Sequence, residues 1–93
     1  MTTYYNSRDY NEPAYKAWRV AVFKRDNFKC QFPDCKCKKK LNAHHIIRWA
    51  DAPFLRFEVT NGITLCKMHH DMIKNNENCY VDLFNGIIRE KKK

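Results

Sequence analysis

Apolar residues first become periodic in PAYKAWRVAVFKRD, residues 13–26, where Ala14, Ala17/Trp18 and Ala21/Val22 recur at three-to-four spacing. That spacing lays one apolar stripe along a helix. Pro13 suits a first helical turn and Asn11 is a candidate cap, while Lys16, Arg19, Lys24 and Arg25 fall largely off the stripe. Residues 1–11 are polar and tyrosine-rich without a period, and read as a loose arm. Asp26-Asn27 ends the helix, and the chain enters a compact cysteine-containing loop, FKCQFPDCKCKKK. From Leu41 to Trp49 the pattern reads as a strand, with β-branched Ile46 and Ile47. A loop through Asp51, Pro53 and Phe54/Leu55/Phe57 follows, then a turn signal at Thr60-Asn61-Gly62 and a short strand, Ile63-Thr64-Leu65. KMHHDMIKNN has helical character and closes in the breaker-rich NNEN. The last piece, CYVDLFNGIIREKKK, admits two readings. Tyr80, Leu83/Phe84 and Ile87/Ile88 fit helical spacing, whereas Asn85-Gly86 is equally a hairpin turn.

These elements predict an α+β chain: a helix, a two-stranded ribbon and a second helix, with an appended tail. No internal repeat or second domain is visible. The expected organisation is one domain over residues 1–93, with the arm at 1–11, the core at about 12–78 and an extension at 79–93. A core this short benefits from a covalent or metal staple. The mean hydropathy of −0.75 and the charged fraction of 30% sharpen that need.

Composition narrows the chemistry. The five cysteines are an odd number, and MTTYYNSRDYNEPAY carries no basic segment followed by an apolar one, as a signal peptide would. No stretch approaches the length of a membrane span. The expected setting is therefore reducing and cytoplasmic, where clustered cysteines hold metal more often than they form disulfides. The formal charge is +8, from 18 Lys+Arg against 10 Asp+Glu. With no long basic amphipathic helix, that excess points to nucleic acid rather than a membrane. Solubility alone is the plainer account of the charge, and the terminal KKK contributes to it.

Cys30-x4-Cys35 and Cys66-x2-His69 form two close-spaced donor pairs far apart in sequence. Such pairs can bring four soft or borderline ligands around a tetrahedral Zn²⁺. With all four positions filled by protein, the site would be structural, and its binding energy would be folding energy. Cys37 offers a competing closure with Cys30, although Cys35 leaves the tighter turn around Pro33-Asp34. Cys79 stands apart and reads as a plain, half-buried thiol.

All four histidines occur as two adjacent pairs, His44-His45 and His69-His70. On a strand, neighbouring side chains point to opposite faces, so His44 and His45 address different partners. On a helix, neighbours lie about 100° apart, so His69 and His70 also diverge. If His69 closes the zinc site, His70 is available to a second one, where a member of the 44/45 pair can meet it. One imidazole is then left over, with the pKa range of a general base. Two imidazoles holding a divalent cation beside such a base are hydrolytic equipment. On a basic protein the substrate would be a phosphodiester.

In order, the residues that carry a resemblance are Trp18-Arg19, Val22-Phe23-Lys24-Arg25-Asp26, Cys30-Gln31, Pro33-Asp34-Cys35, Ala43-His44-His45-Ile46, Trp49-Ala50, Leu55-Arg56-Phe57, Asn61-Gly62-Ile63-Thr64-Leu65-Cys66 and His69-His70. Over roughly residues 15–75 the chain resembles the HNH endonucleases, in particular the small phage- and prophage-type branch with a zinc knuckle. The resemblance implies a ββα-metal (His-Me finger) core, with a two-stranded antiparallel ribbon, flanking helices and a structural zinc knuckle of Cys30, Cys35, Cys66 and His69. It implies that His44 and His70 hold the catalytic divalent cation and that His45 is the general base. Asn61 is then either a brace of the loop between the strands or a contributor to the metal site. Arg48, Arg56, Lys67 and Lys74 become candidate phosphate contacts.

The implied reaction is hydrolysis of double-stranded DNA, leaving 5′-phosphate and 3′-hydroxyl ends, with Mg²⁺, Mn²⁺, Ni²⁺ or Co²⁺ as the catalytic ion. A terminase or another phage protein is the implied partner, the bacterial host cytoplasm the implied location, and a monomer or homodimer the implied state. Two departures stand out. His69 occupies a position where most relatives carry Cys, which leaves His69 and His70 as competing zinc ligands. His44 replaces the commoner Asp, which softens the site. From another functional class comes the alternative of a zinc-stabilised DNA-binding module without catalysis, which needs the charge and the zinc but not His44, His45, Asn61 and His70 together.

Overall fold

A computed structural model describes residues 12–48 and 51–91. Helix α1 (Pro13–Arg25) starts at Pro13, whose fixed φ suits the first turn, after an extended Glu12 whose side chain makes no capping bond. Asn11, the expected cap, lies outside the described residues. Lys24 and Arg25 fill the last turn, where positive charge complements the helix dipole. The helix stops at Asp26, and Asn27 and Phe28 then take left-handed φ values of 57° and 55° that prevent its continuation. Its inward face is Trp18, Val22 and Phe23. The expected stripe is therefore rotated, because Ala14 and Ala17 are exposed. Large rings bury more apolar area than alanines, and they turn the helix toward the core.

Strands β1 (Leu41–His45) and β2 (Gly62–Cys66) pair antiparallel in the register Leu41↔Cys66 through His45↔Gly62. The expected strand through Trp49 is shortened to end at His45. Asn61 is the cause: its Oδ1 accepts from the Ile47 N–H at 2.9 Å, and its Nδ2 donates to the carbonyls of Ile47 (3.2 Å) and Leu55 (3.3 Å). A side-chain amide takes over the bonds a longer ladder would make, and the chain bends away. Trp49 and Ala50 lie outside the described residues.

All five β2 residues are buried, so both faces of the ribbon are covered. Residues His45, Gly62 and Thr64 share the face under α1, and His44, Ile63 and Leu65 share the other. Against that second face pack Ile73, which follows α2 (Lys67–Met72), and Phe84 and Ile88 of α3 (Val81–Lys91). Short 3₁₀ turns at Pro53–Leu55, Val59–Asn61 and Glu77–Tyr80 make the connections.

The ambiguous last segment is helical. Asn85-Gly86 sits inside α3, because a helix places Phe84 and Ile88 one turn apart on the core, where they are 0% and 4% exposed. It is not an appendage: both residues belong to the same cluster as Cys30, Ile46, Ile63 and Leu65, so the core does not end near residue 78. Burying a side chain of Phe size stabilises by about 1.5–3 kcal/mol.

The fold also has a buried ionic tie. The Asp26 carboxylate accepts from Arg25 Nε (2.9 Å) and Nη2 (2.8 Å) and from the Thr64 N–H (2.9 Å). Arg25 reaches on to the carbonyls of Val59 (2.8 Å) and Gly62 (2.6 Å), and Lys91 Nζ lies 3.7 Å from Asp26. The end of α1 is thereby fixed to β2 and to α3. Among the described residues, no helix is long and apolar enough to cross a membrane.

Candidate metal centre and active site

The donor atoms of Cys30, Cys35, Cys66 and His69 all lie within 4.8 Å of one another. Cys30 and Cys35 flank the Phe32–Cys35 turn, closed by the Cys35 N–H on the Phe32 carbonyl at 2.9 Å, with Asp34 at a left-handed φ of 66°. The Gln31 N–H donates to the Thr64 carbonyl at 2.9 Å and pins this knuckle to β2. Cys66 ends β2 and His69 lies in the first turns of α2, so the strand-to-helix junction aims both at one point. His69 Nδ1 is 3.4 Å from Cys66 Sγ and 3.7 Å from Cys30 Sγ. Zn–S bonds of about 2.3 Å and Zn–N bonds of about 2.0 Å around a tetrahedron give S···N edges of about 3.5 Å. The donor set fits a structural zinc ion, and the His69 ring is held flat against Phe32, centroids 4.3 Å apart and 6° from parallel. Burial pushes the Cys30 thiol up to about 12, so at neutral pH a cation is needed to draw off its proton.

Cys37 is exposed and its Sγ is directed to the Lys39 carbonyl at 3.6 Å, outside the cluster. Cys79 is exposed rather than half-buried, because the 3₁₀ turn that carries it presents Tyr80 to the core instead.

The histidine doublets diverge as strand and helix geometry require. His44 faces α2 and α3: its ring lies 5.7 Å from His70, edge to face, and 5.7 Å from Phe84. A cavity of about 210 Å³ opens here, lined by His44, His45 and His70 together with Arg48, Lys74 and Glu77. Burial lowers the pKa of His70, with Lys74 and Lys67 adding and Asp71 and Glu77 opposing, so at pH 7 its imidazole is neutral and keeps a lone pair. His44 and His70 are thus the residues here that could hold a divalent cation.

His45 turns the other way, under α1. Its Nε2 lies 2.8 Å from the Arg56 carbonyl, which can only accept, so the neutral ring carries its proton on Nε2 and its lone pair on Nδ1. Its plane stacks on Trp18, centroids 4.1 Å apart and 7° from parallel. Asn61 is buried at 6% exposure, with its amide engaged by Ile47 and Leu55, the geometry of a loop brace.

The candidate phosphate contacts are dispersed. Lys74 and Arg48 line the cavity, with Arg48 also paired to Asp51 at 3.0 Å. Lys67 pairs with Asp71 at 2.6 Å, and the Arg56 guanidinium lies over Phe57. Two residues were missed by the sequence reading. Glu77 lies after α2 has ended, at the start of the 3₁₀ turn Glu77–Tyr80, so no helical spacing from His70 points to it. Trp18 belongs both to the apolar stripe and to the residues that carry the resemblance, but nothing in the sequence places it against His45.

The two-stranded ribbon, the flanking helices and the Cys/His cluster define a small α+β domain of the ββα-metal type. A family model described as HNH endonuclease matches residues 30–77, more than half of the chain. The chain belongs to the HNH endonuclease family. No curated protein and no solved structure matches it.

Proposed function

We propose that this protein is a metal-dependent endonuclease that hydrolyses phosphodiester bonds in double-stranded DNA, leaving 5′-phosphate and 3′-hydroxyl ends. The observation that carries the reading is the division of labour at one cavity: His44 and His70 meet across it, while His45 is pinned through Nε2 to the Arg56 carbonyl. His45 is the general base. Its Nδ1 takes the proton from the attacking water, and the Arg56 carbonyl, accepting from Nε2–H, orients the ring and favours the imidazolium as it forms. When bound by His44 and His70, the divalent cation supplies positive charge that stabilises the departing 3′-oxygen. An imidazole pair without a nearby acidic ligand on β1 favours Mn²⁺, Ni²⁺ or Co²⁺ over Mg²⁺. Asn61 keeps the His45-bearing strand and its loop in place, and Arg48 and Lys74 bring positive charge to the phosphates on either side. The zinc held by Cys30, Cys35, Cys66 and His69 is structural.

Supercoiled plasmid incubated with Mn²⁺, Ni²⁺ or Mg²⁺ tests this. Nicking or linearisation is expected, abolished by EDTA and reduced about 10²- to 10⁴-fold in His45→Ala. Undiminished cutting by His45→Ala would remove His45 as the base. DNA binding without cleavage in every metal would replace the nuclease by a zinc-stabilised binding module.

A further inference from the structure

We infer that Trp18 is a positioning residue for catalysis: the indole forms the wall that fixes the plane of the His45 imidazole. The inference rests on the assignment of His45 as general base. Trp18 lies in α1, upstream of the residues 30–77 that the family model matches, and is 2% exposed. Its ring is parallel to His45 to within 7° at 4.1 Å between centroids. Its own orientation is fixed at the other end, where Nε1–H donates to the Glu58 carbonyl at 2.8 Å. Glu58 lies two residues after Arg56, the residue whose carbonyl accepts from His45. One short loop therefore anchors both rings of the stack.

The space for this arrangement is made by Gly62, the cross-strand partner of His45. A Cβ there would come within 2.7 Å of Trp18 Cζ2 and 2.5 Å of Val22 Cγ2, so the indole lies directly against the β2 backbone. Among the described residues, His45 is consequently held in two independent ways. The Arg56 carbonyl fixes one ring atom, and the indole face fixes the tilt about that bond. A hydrogen bond alone leaves the ring free to swing about the Nε2···O axis, which would carry Nδ1 off the water it must deprotonate. Misplacement of a catalytic group by about 1 Å lowers turnover by about 10²-fold.

The test compares Trp18→Phe, which keeps an aromatic face, with Trp18→Leu, which removes it, in plasmid or oligonucleotide cleavage with Mn²⁺. Trp18→Leu is expected to lower kcat about 30-fold with KM within about twofold of wild type, and Trp18→Phe to stay within about threefold in kcat. If Trp18→Leu does not fold, as judged by zinc content and thermal unfolding, Trp18→Met takes its place with the same expectation. In a His45→Ala background, adding Trp18→Leu should change the residual rate less than about twofold, since a residue acting through His45 has nothing left to position. A kcat within about twofold of wild type in folded Trp18→Leu, or a further large fall in the double variant, would overturn the inference. Full activity in His45→Ala would instead overturn the base assignment, so the two failures are separable.

Discussion

Replacing Asp26 by alanine should be among the most damaging changes available outside the metal centre. Asp26 is 0% exposed and joins three parts of the chain: Arg25 at the end of α1, the Thr64 N–H in β2, and Lys91 in α3. Its loss leaves the buried Thr64 N–H without that acceptor, which costs about 1–3 kcal/mol. It also strips the Arg25 guanidinium of its carboxylate, and removing one partner of a buried pair costs about 3–5 kcal/mol in all. Arg25 retains the Val59 and Gly62 carbonyls and is 19% exposed, which argues for the low end. The expected loss for Asp26→Ala is therefore about 3 kcal/mol, against a typical total of about 5–15 kcal/mol for a domain. Asp26→Asn keeps one acceptor oxygen and should lose about half as much. Urea unfolding of the zinc-loaded protein, followed by tryptophan fluorescence, measures both. A loss below about 1 kcal/mol for Asp26→Ala would refute the view that this carboxylate ties α1 to the ribbon.

Two further outcomes follow from the knuckle and from the close approach under α1. Elemental analysis should find about one zinc per chain, retained in Cys37→Ser and lost together with the fold in Cys35→Ser; zinc retained by folded Cys35→Ser would exclude Cys35 as a ligand. Gly62→Ala should destabilise by about 1–3 kcal/mol, because its new Cβ forces Val22 and Trp18 away from the strand. A thermal midpoint equal to that of wild type would show that α1 yields without cost.

The Cys/His cluster was legible because its information is local: Cys30 and Cys35 bracket one turn, and Cys66 and His69 one junction. The divergence of His44 from His45 was legible too, since it follows from strand alternation alone. What could not be read depended on distant partners. Ile46 and Ile47 have strand-forming side chains, yet the ladder ends before them because Asn61, far along the chain, takes their backbone bonds. Asn85-Gly86 is compatible with a hairpin or a helix, and the burial of Phe84 and Ile88 beneath β2 decides between them. The helix α1 was visible by period, but which face turned inward was set by the room above Gly62.

That room has one more consequence. A strand that slips by one residue exchanges its two faces. In most active sites the exchange would put an obviously wrong side chain at each station, and the error would expose itself chemically. Here a slip of β1 by one residue would leave an imidazole at one station, His44 opposite Gly62 or His45 opposite Ile63, and put Ala43 or Ile46 at the other. The doublet therefore masks half of the error. The other half is read by shape: beneath α1 the station opposite Gly62 holds a flat ring stacked on the Trp18 indole, and Ile46 would set a branched side chain against that face.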